Sequence, residues 1–157
     1  MTSSTATINT QKKGRISLDA ILLILIAAGI LVSGYLTYVK FTAEPMACVG
    51  GGMFDCSTVQ NSIYAEMFGI PIAYMGLATY IVMAGLIVLE SRIGLLQEFG
   101  NLILFAITLF AWLFSMWLVY VQFFLLEALC QWCLTHEVLM TLILPLVCVR
   151  LWRSLRS

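Results

Sequence analysis

Cys130 and Cys133, separated by Gln131 and Trp132, place two thiols where a polar turn gives way to an apolar run. On a helix, residues three apart share one face, so this pair can open and close a small disulfide ring of the kind used in thiol exchange. A second pair, Cys48 and Cys56, lies in the one long polar loop between apolar runs. Two dithiols on one chain could trade electrons. For Cys48 and Cys56 a static disulfide that merely closes a loop is equally compatible with the spacing. Cys148 stands apart: fifteen residues beyond Cys133 on a helix is about 22 Å, so it is expected to be a small apolar filler outside any relay.

Two ionisable side chains follow the C-x-x-C within a turn. His136 projects to one side of Cys133, and Glu137 projects between the directions of the two cysteines. An ionisable group at membrane depth is a functional candidate, and either could give a proton or hydrogen bond to a bound oxygen; the plain alternative is that both are solvated at headgroup level. Trp117, Tyr120, Phe123, Phe124 and Trp132 cluster at the same boundary and read as an aromatic belt.

These residues need elements to hold them. With 62% hydrophobic and 10% charged residues and a mean hydropathy of +1.01, the chain lies outside the range of soluble globular domains. Four apolar runs, 20–39, 70–89, 102–124 and 134–151, reach the roughly 20 residues needed to cross a bilayer as helix. The expected fold is an all-α integral membrane protein, a four-transmembrane-helix bundle over 18–157 behind a disordered cytoplasmic tail over 1–17. The first run is too long for a signal peptide and is read as retained. Lys12, Lys13 and Arg15, then Arg92, then Arg150, Arg153 and Arg156 mark the cytoplasmic flanks; only Lys40 falls on the other side. Both termini are then expected in the cytoplasm, with both cysteine pairs outside it.

The external loop is expected to carry a short amphipathic helix. Gly50, Gly51 and Gly52 allow sharp, mobile backbone, Ser57 with Gln60 resembles a capping box, and Val59, Ile63 and Met67 recur at helical spacing. Cys56 at its start would gain thiolate stability from the helix dipole, with Cys48 on a flexible arm. On the fourth helix, Cys130 is expected nearer water and Cys133 a turn deeper, within reach of an electron acceptor dissolved in the bilayer. Pro71 suits the first turn of the second helix, and Pro145 marks a kink in the fourth.

The ordered set Cys48-x7-Cys56-Ser57-x-Val59-x-x-Ser62, Gly69-Ile70-Pro71 with Gly76, and Cys130-x-x-Cys133 at the head of the fourth run resembles the vitamin K epoxide reductase family in its bacterial single-domain form. That resemblance implies a bundle around a quinone, ubiquinone or menaquinone for example, in a bacterial inner membrane. It implies that Cys48 and Cys56 shuttle electrons from an extracytoplasmic thioredoxin-fold, DsbA-like partner to Cys130, and that Cys133 faces the quinone. Ser62 matches a loop serine the family uses near its active site; His136 and Glu137 complete the expected quinone contacts. Chain length points to a partner that is a separate protein. In animal members a tyrosine stands at the position of Glu137, which argues against epoxide reduction here. DsbB-type quinone reductases carry the two cysteine pairs in the reverse order. A four-cysteine zinc site fits poorly with the x7 spacing and the oxidising side, so no metal is expected, and neither is a nucleic-acid partner.

Overall fold

A computed structural model describes residues 2–48, 51–90 and 92–156, and of 2–16 and 95–97 the backbone alone. Gly50 and the side chains of Lys12, Lys13 and Arg15 therefore lie outside the described residues. The chain forms α1 (Thr2–Thr42), α2 (Cys56–Gln60), β1 (Glu66–Met67), β2 (Ile70–Pro71), α3 (Ile72–Leu89), α4 (Gly94–Phe124) and α5 (Gln131–Arg156). Four helical stretches are long and apolar enough to cross a membrane: Ser17–Thr42, Ile72–Leu89, Glu98–Phe124 and Gln131–Arg156. The protein is thus a helical bundle of the multi-pass membrane type.

Most of these stretches overrun the apolar runs, because hydropathy marks only the part that needs lipid whereas a helix continues until something stops it. Composition predicts a disordered tail over 1–17; in the structure α1 runs back to Thr2, since residues added to an existing helix avoid the cost of nucleation. Likewise α5 runs unbroken through Pro145.

Each helix contributes to one core. Leu18, Leu22 and Ile26 of α1, Tyr80, Met83 and Ile87 of α3, Leu104 of α4, and Met140, Ile143 and Val147 of α5 recur at three- and four-residue steps and are buried together. Against lipid, packing has to come from close fit rather than from escape from water. Gly29 supplies that fit, because a Cβ there would collide with the Tyr80 ring, which is itself fully buried. Gly29→Ala should therefore destabilise the bundle by about 1–3 kcal/mol, the usual cost of overpacking, measured as a lower melting temperature in detergent.

The loop between α1 and α3 departs from the expected single amphipathic helix. α2 ends at Gln60, a single 3-10 turn spans Ile63–Ala65, and β1 pairs antiparallel with β2 in a two-residue hairpin. Phe68 and Gly69 form its tip with φ of 53° and 79°, the left-handed pair this type of turn requires. Of the residues at helical spacing, Val59 is buried and Ile63 is exposed. Pro71 precedes α3 rather than opening its first turn. Lys40, at the end of α1, ties this loop down through the Gln60 carbonyl (3.0 Å) and Glu66 (3.3 Å).

Candidate dithiol and cavity site

Asp55 starts α2, so the cap is one residue before Cys56 rather than at Ser57. Its carboxylate accepts from the Thr58 N–H at 3.1 Å and from the hydroxyls of Ser57 and Thr58. Those donors, the Ser57 hydroxyl foremost, pull the Asp55 carboxyl down to about 2. A depressed acid contributes its stability above its unfolded value near 3.8 and loses it as pH falls toward about 2, so the cap is complete at neutral pH. The same residue joins the loop to the head of α5: its N–H donates to the Leu129 carbonyl (3.1 Å), and the Leu129 N–H donates to the Met53 carbonyl (2.8 Å). This short parallel pairing sets Cys56 beside Cys130. Asp55→Ala should slow dithiol exchange between the two pairs several-fold without changing the reactivity of Cys133, as followed by timed alkylation of the thiols.

Cys48 and Cys56 are joined in a disulfide, with Cα atoms 6.1 Å apart. Their surroundings differ. Cys48 is half-buried, whereas Cys56 is sealed in a small cluster with Val59, Ala128 and Cys130. Cys48 is also less free than a flexible arm. Its neighbour Ala47 takes a hydrogen bond from Trp132 Nε1 at its carbonyl (2.8 Å) and gives one from its N–H to the Tyr35 hydroxyl (3.1 Å), and the Tyr35 and Trp132 rings meet at 4.6 Å. Trp132 thus leaves the expected aromatic belt for a structural task. Trp117, Tyr120, Phe123 and Phe124 remain on the exposed surface.

Cys130 and Cys133 are both free thiols. The expectation that Cys130 lies nearer water is corrected: it is 0% exposed, because α2 and the 126–129 turn cover it. Among the described residues, Cys56 and its neighbours pack against it on the loop side. Cys130 immediately precedes α5, and its carbonyl accepts the Leu134 N–H at 3.0 Å as the first bond of that helix. The hydrogen bond from the Cys133 thiol lowers the Cys130 thiol from its ordinary value, and the backbone N–H groups of Cys133 and Trp132 add to this against the effect of burial. Gln122, buried on α4, holds this corner: its side-chain oxygen accepts the Cys130 N–H (2.9 Å) and its carbonyl the Ala128 N–H (3.2 Å). The sequence signal for it is a glutamine set inside an aromatic run, which an aromatic-belt reading leaves out.

Below this corner lies a cavity of about 430 Å³, walled by all four long helices and the loop. Its lining is mostly apolar, with Cys133, Ser62, His136 and Gln122 among its few polar groups. The Ser62 hydroxyl donates to the Val59 carbonyl at 2.8 Å, and His136 lies edge-on to Tyr80 with centroids 5.3 Å apart. Glu137 requires a second correction. It is buried in the α4–α5 seam, where the hydroxyls of Ser115 and, at 3.3 Å, Thr141 donate to it, and Ser115 rather than Glu137 lines the cavity. Helical angles give a direction for a side chain but not the neighbour that occupies it. Cys148 is exposed and far along α5.

A membrane helical bundle that sets one cysteine pair over another, with the second opening on an apolar cavity, defines a class of thiol-bearing membrane proteins. This chain belongs to the Vitamin K epoxide reductase family, whose pattern matches residues 20–148. It is also similar to the thiol-disulfide oxidoreductase LTO1 of Arabidopsis thaliana, 36% identical over 83 residues. The matched stretch is 50% of this chain and 22% of that protein, so the chain covers only about a fifth of that relative's length.

Proposed function

We propose that the protein is a membrane thiol oxidoreductase that carries electrons from a thioredoxin-fold, DsbA-like partner to a quinone, supporting disulfide formation outside the cytoplasm. The observation that carries this reading is the placement of the α5 pair: Cys130 is sealed against Cys56 while Cys133 lines the cavity. One pair therefore faces the loop disulfide with one sulfur and the cavity with the other. The orientation that follows has both termini in the cytoplasm and both pairs on the outer side of a bacterial inner membrane.

The half-buried Cys48 is the sulfur a partner thiolate can attack. That attack breaks the Cys48–Cys56 bond, and the partner's second thiol releases Cys48 as the partner leaves oxidised. Cys56 then attacks Cys130 of the oxidised C-x-x-C, forming a Cys56–Cys130 bond and releasing Cys133 as thiolate. Cys48 resolves the mixed disulfide by attacking Cys56, which restores the loop disulfide and frees Cys130. The result is the state seen here, a closed loop pair over two free thiols. A quinone held in the cavity would supply an acceptor for two electrons and two protons. Cys133 faces the cavity to deliver them, and Cys130 closes the disulfide behind it. The size and apolar lining of the cavity fit a planar ring with polar groups only at its edge.

The test is turnover of the purified chain with a reduced thioredoxin-fold donor and either ubiquinone or menaquinone analogues, read by quinol formation and by the redox state of the four cysteines. Donor oxidation coupled one-to-one to quinol supports the reading. Cysteines that stay unchanged by dithiothreitol and by every quinone would establish static disulfides instead.

A further inference from the structure

Serine and threonine inside an apolar helix ordinarily give their hydroxyl to a carbonyl one turn back. Thr79, Thr108 and Thr135 do so here, at 2.7–2.8 Å. Ser33 of α1 does not: it is 1% exposed, its hydroxyl has no hydrogen-bond partner, and it lines the cavity. A buried hydroxyl without a partner is costly, and of the described side chains in that position Ser33 is the one that lines the cavity. A second observation shows where it faces. A Cβ added at Gly76 of α3 would lie 3.6 Å from Ser33 Oγ and 3.6 Å from His136 Nε2, with no other atom so close. The two polar atoms thus flank one point on the cavity wall, and glycine leaves that point empty.

We propose that Ser33 is a quinone-binding residue, its hydroxyl donating to a ring carbonyl oxygen held against Gly76, with His136 on the other side of the same oxygen. This rests on the reading of the cavity as a quinone site and assigns to α1 a contact that the loop serine and α5 do not supply. A quinone suits the point because it brings an acceptor to a hydroxyl that has none, while its ring faces apolar wall. Thr37, one turn further along α1, offers an internal comparison: its hydroxyl is also buried without a partner, but it does not line the cavity.

The full chain in detergent is titrated with 2-methyl-1,4-naphthoquinone, following quenching of tryptophan fluorescence, for wild type, Ser33→Ala, Gly76→Ala and Thr37→Val. Ser33→Ala should weaken binding about five- to tenfold, the scale of one hydrogen bond, and raise the carbonyl stretch of the bound quinone in the infrared. Gly76→Ala, whose methyl makes only ordinary contacts, should keep the fold and weaken binding at least as much. Thr37→Val should bind as wild type does. Equal affinity and carbonyl stretch in wild type and Ser33→Ala would overturn the proposal and leave the reductase reading standing, as would equal weakening by Thr37→Val. A wild type that binds no quinone would overturn both. Binding weakened at Ser33 in a protein that turns over no donor would support the Ser33 contact and overturn the reductase reading alone.

Discussion

Cys133→Ala should abolish quinol formation, a loss of at least about a thousandfold, as expected when the reacting group of a covalent relay is removed. The cavity would keep its shape but lose the one thiol among its described lining residues. In the same variant a Cys56–Cys130 bond should form by attack of the Cys130 thiolate on Cys56 of the loop disulfide, releasing Cys48 as thiolate, because Cys130 lies sealed against Cys56 and Cys133 is no longer there to reopen it. Non-reducing gels after acid quenching, followed by peptide mapping, would detect that bond. Cys148→Ala, exposed and remote on α5, should match wild type in both assays. A Cys133→Ala protein that still reduces quinone would remove Cys133 from the proposed relay.

The second large effect concerns the opposite end of the bundle. Arg150→Ala should destabilise the protein by about 3–5 kcal/mol, read as a lower unfolding midpoint in denaturing detergent. Arg150 is 5% exposed and bonds to Glu90, which closes α3; its Nε lies 2.9 Å from Asp19 of α1 as an ion pair, without the alignment of a hydrogen bond. Asn101 of α4 donates to Glu90 at 3.4 Å, so one polar cluster ties together residues of all four long helices. Removing it leaves Glu90 charged and buried. Removing both partners, as Arg150→Leu with Glu90→Leu, should recover most of the loss, since an apolar pair needs no desolvated charge. Failure of the double variant to recover would mean that Arg150 acts through its packing rather than its charge.

The four spans and the two cysteine pairs were legible because hydropathy over 18 residues and thiol spacing are local properties. What escaped was set by contact. Arg150 reads as a flanking charge beside Arg153 and Arg156, and only the fold shows Glu90 and Asp19 around it. Cys130 reads as the outer thiol because depth was counted along α5, with no means of seeing that α2 would cover it. Ser57 reads as the cap because Gln60 follows it three residues on, although aspartate is as good a helix cap; the deciding factor at Asp55 is its N–H bond to Leu129, a residue far away in sequence. Helical angle alone points Glu137 toward the ligand, whereas Ser115 and Thr141 take it into the seam between two helices.

Between the cavity and the Arg150 cluster, Leu22, Ile26, Met83, Leu104, Ile143 and Val147 form a layer almost wholly shut off from solvent. These side chains offer no donor or acceptor from which a file of water could hang. The layer is therefore an apolar plug between the cavity and the Arg150 cluster, and no step of the proposed exchange requires a charge to cross it.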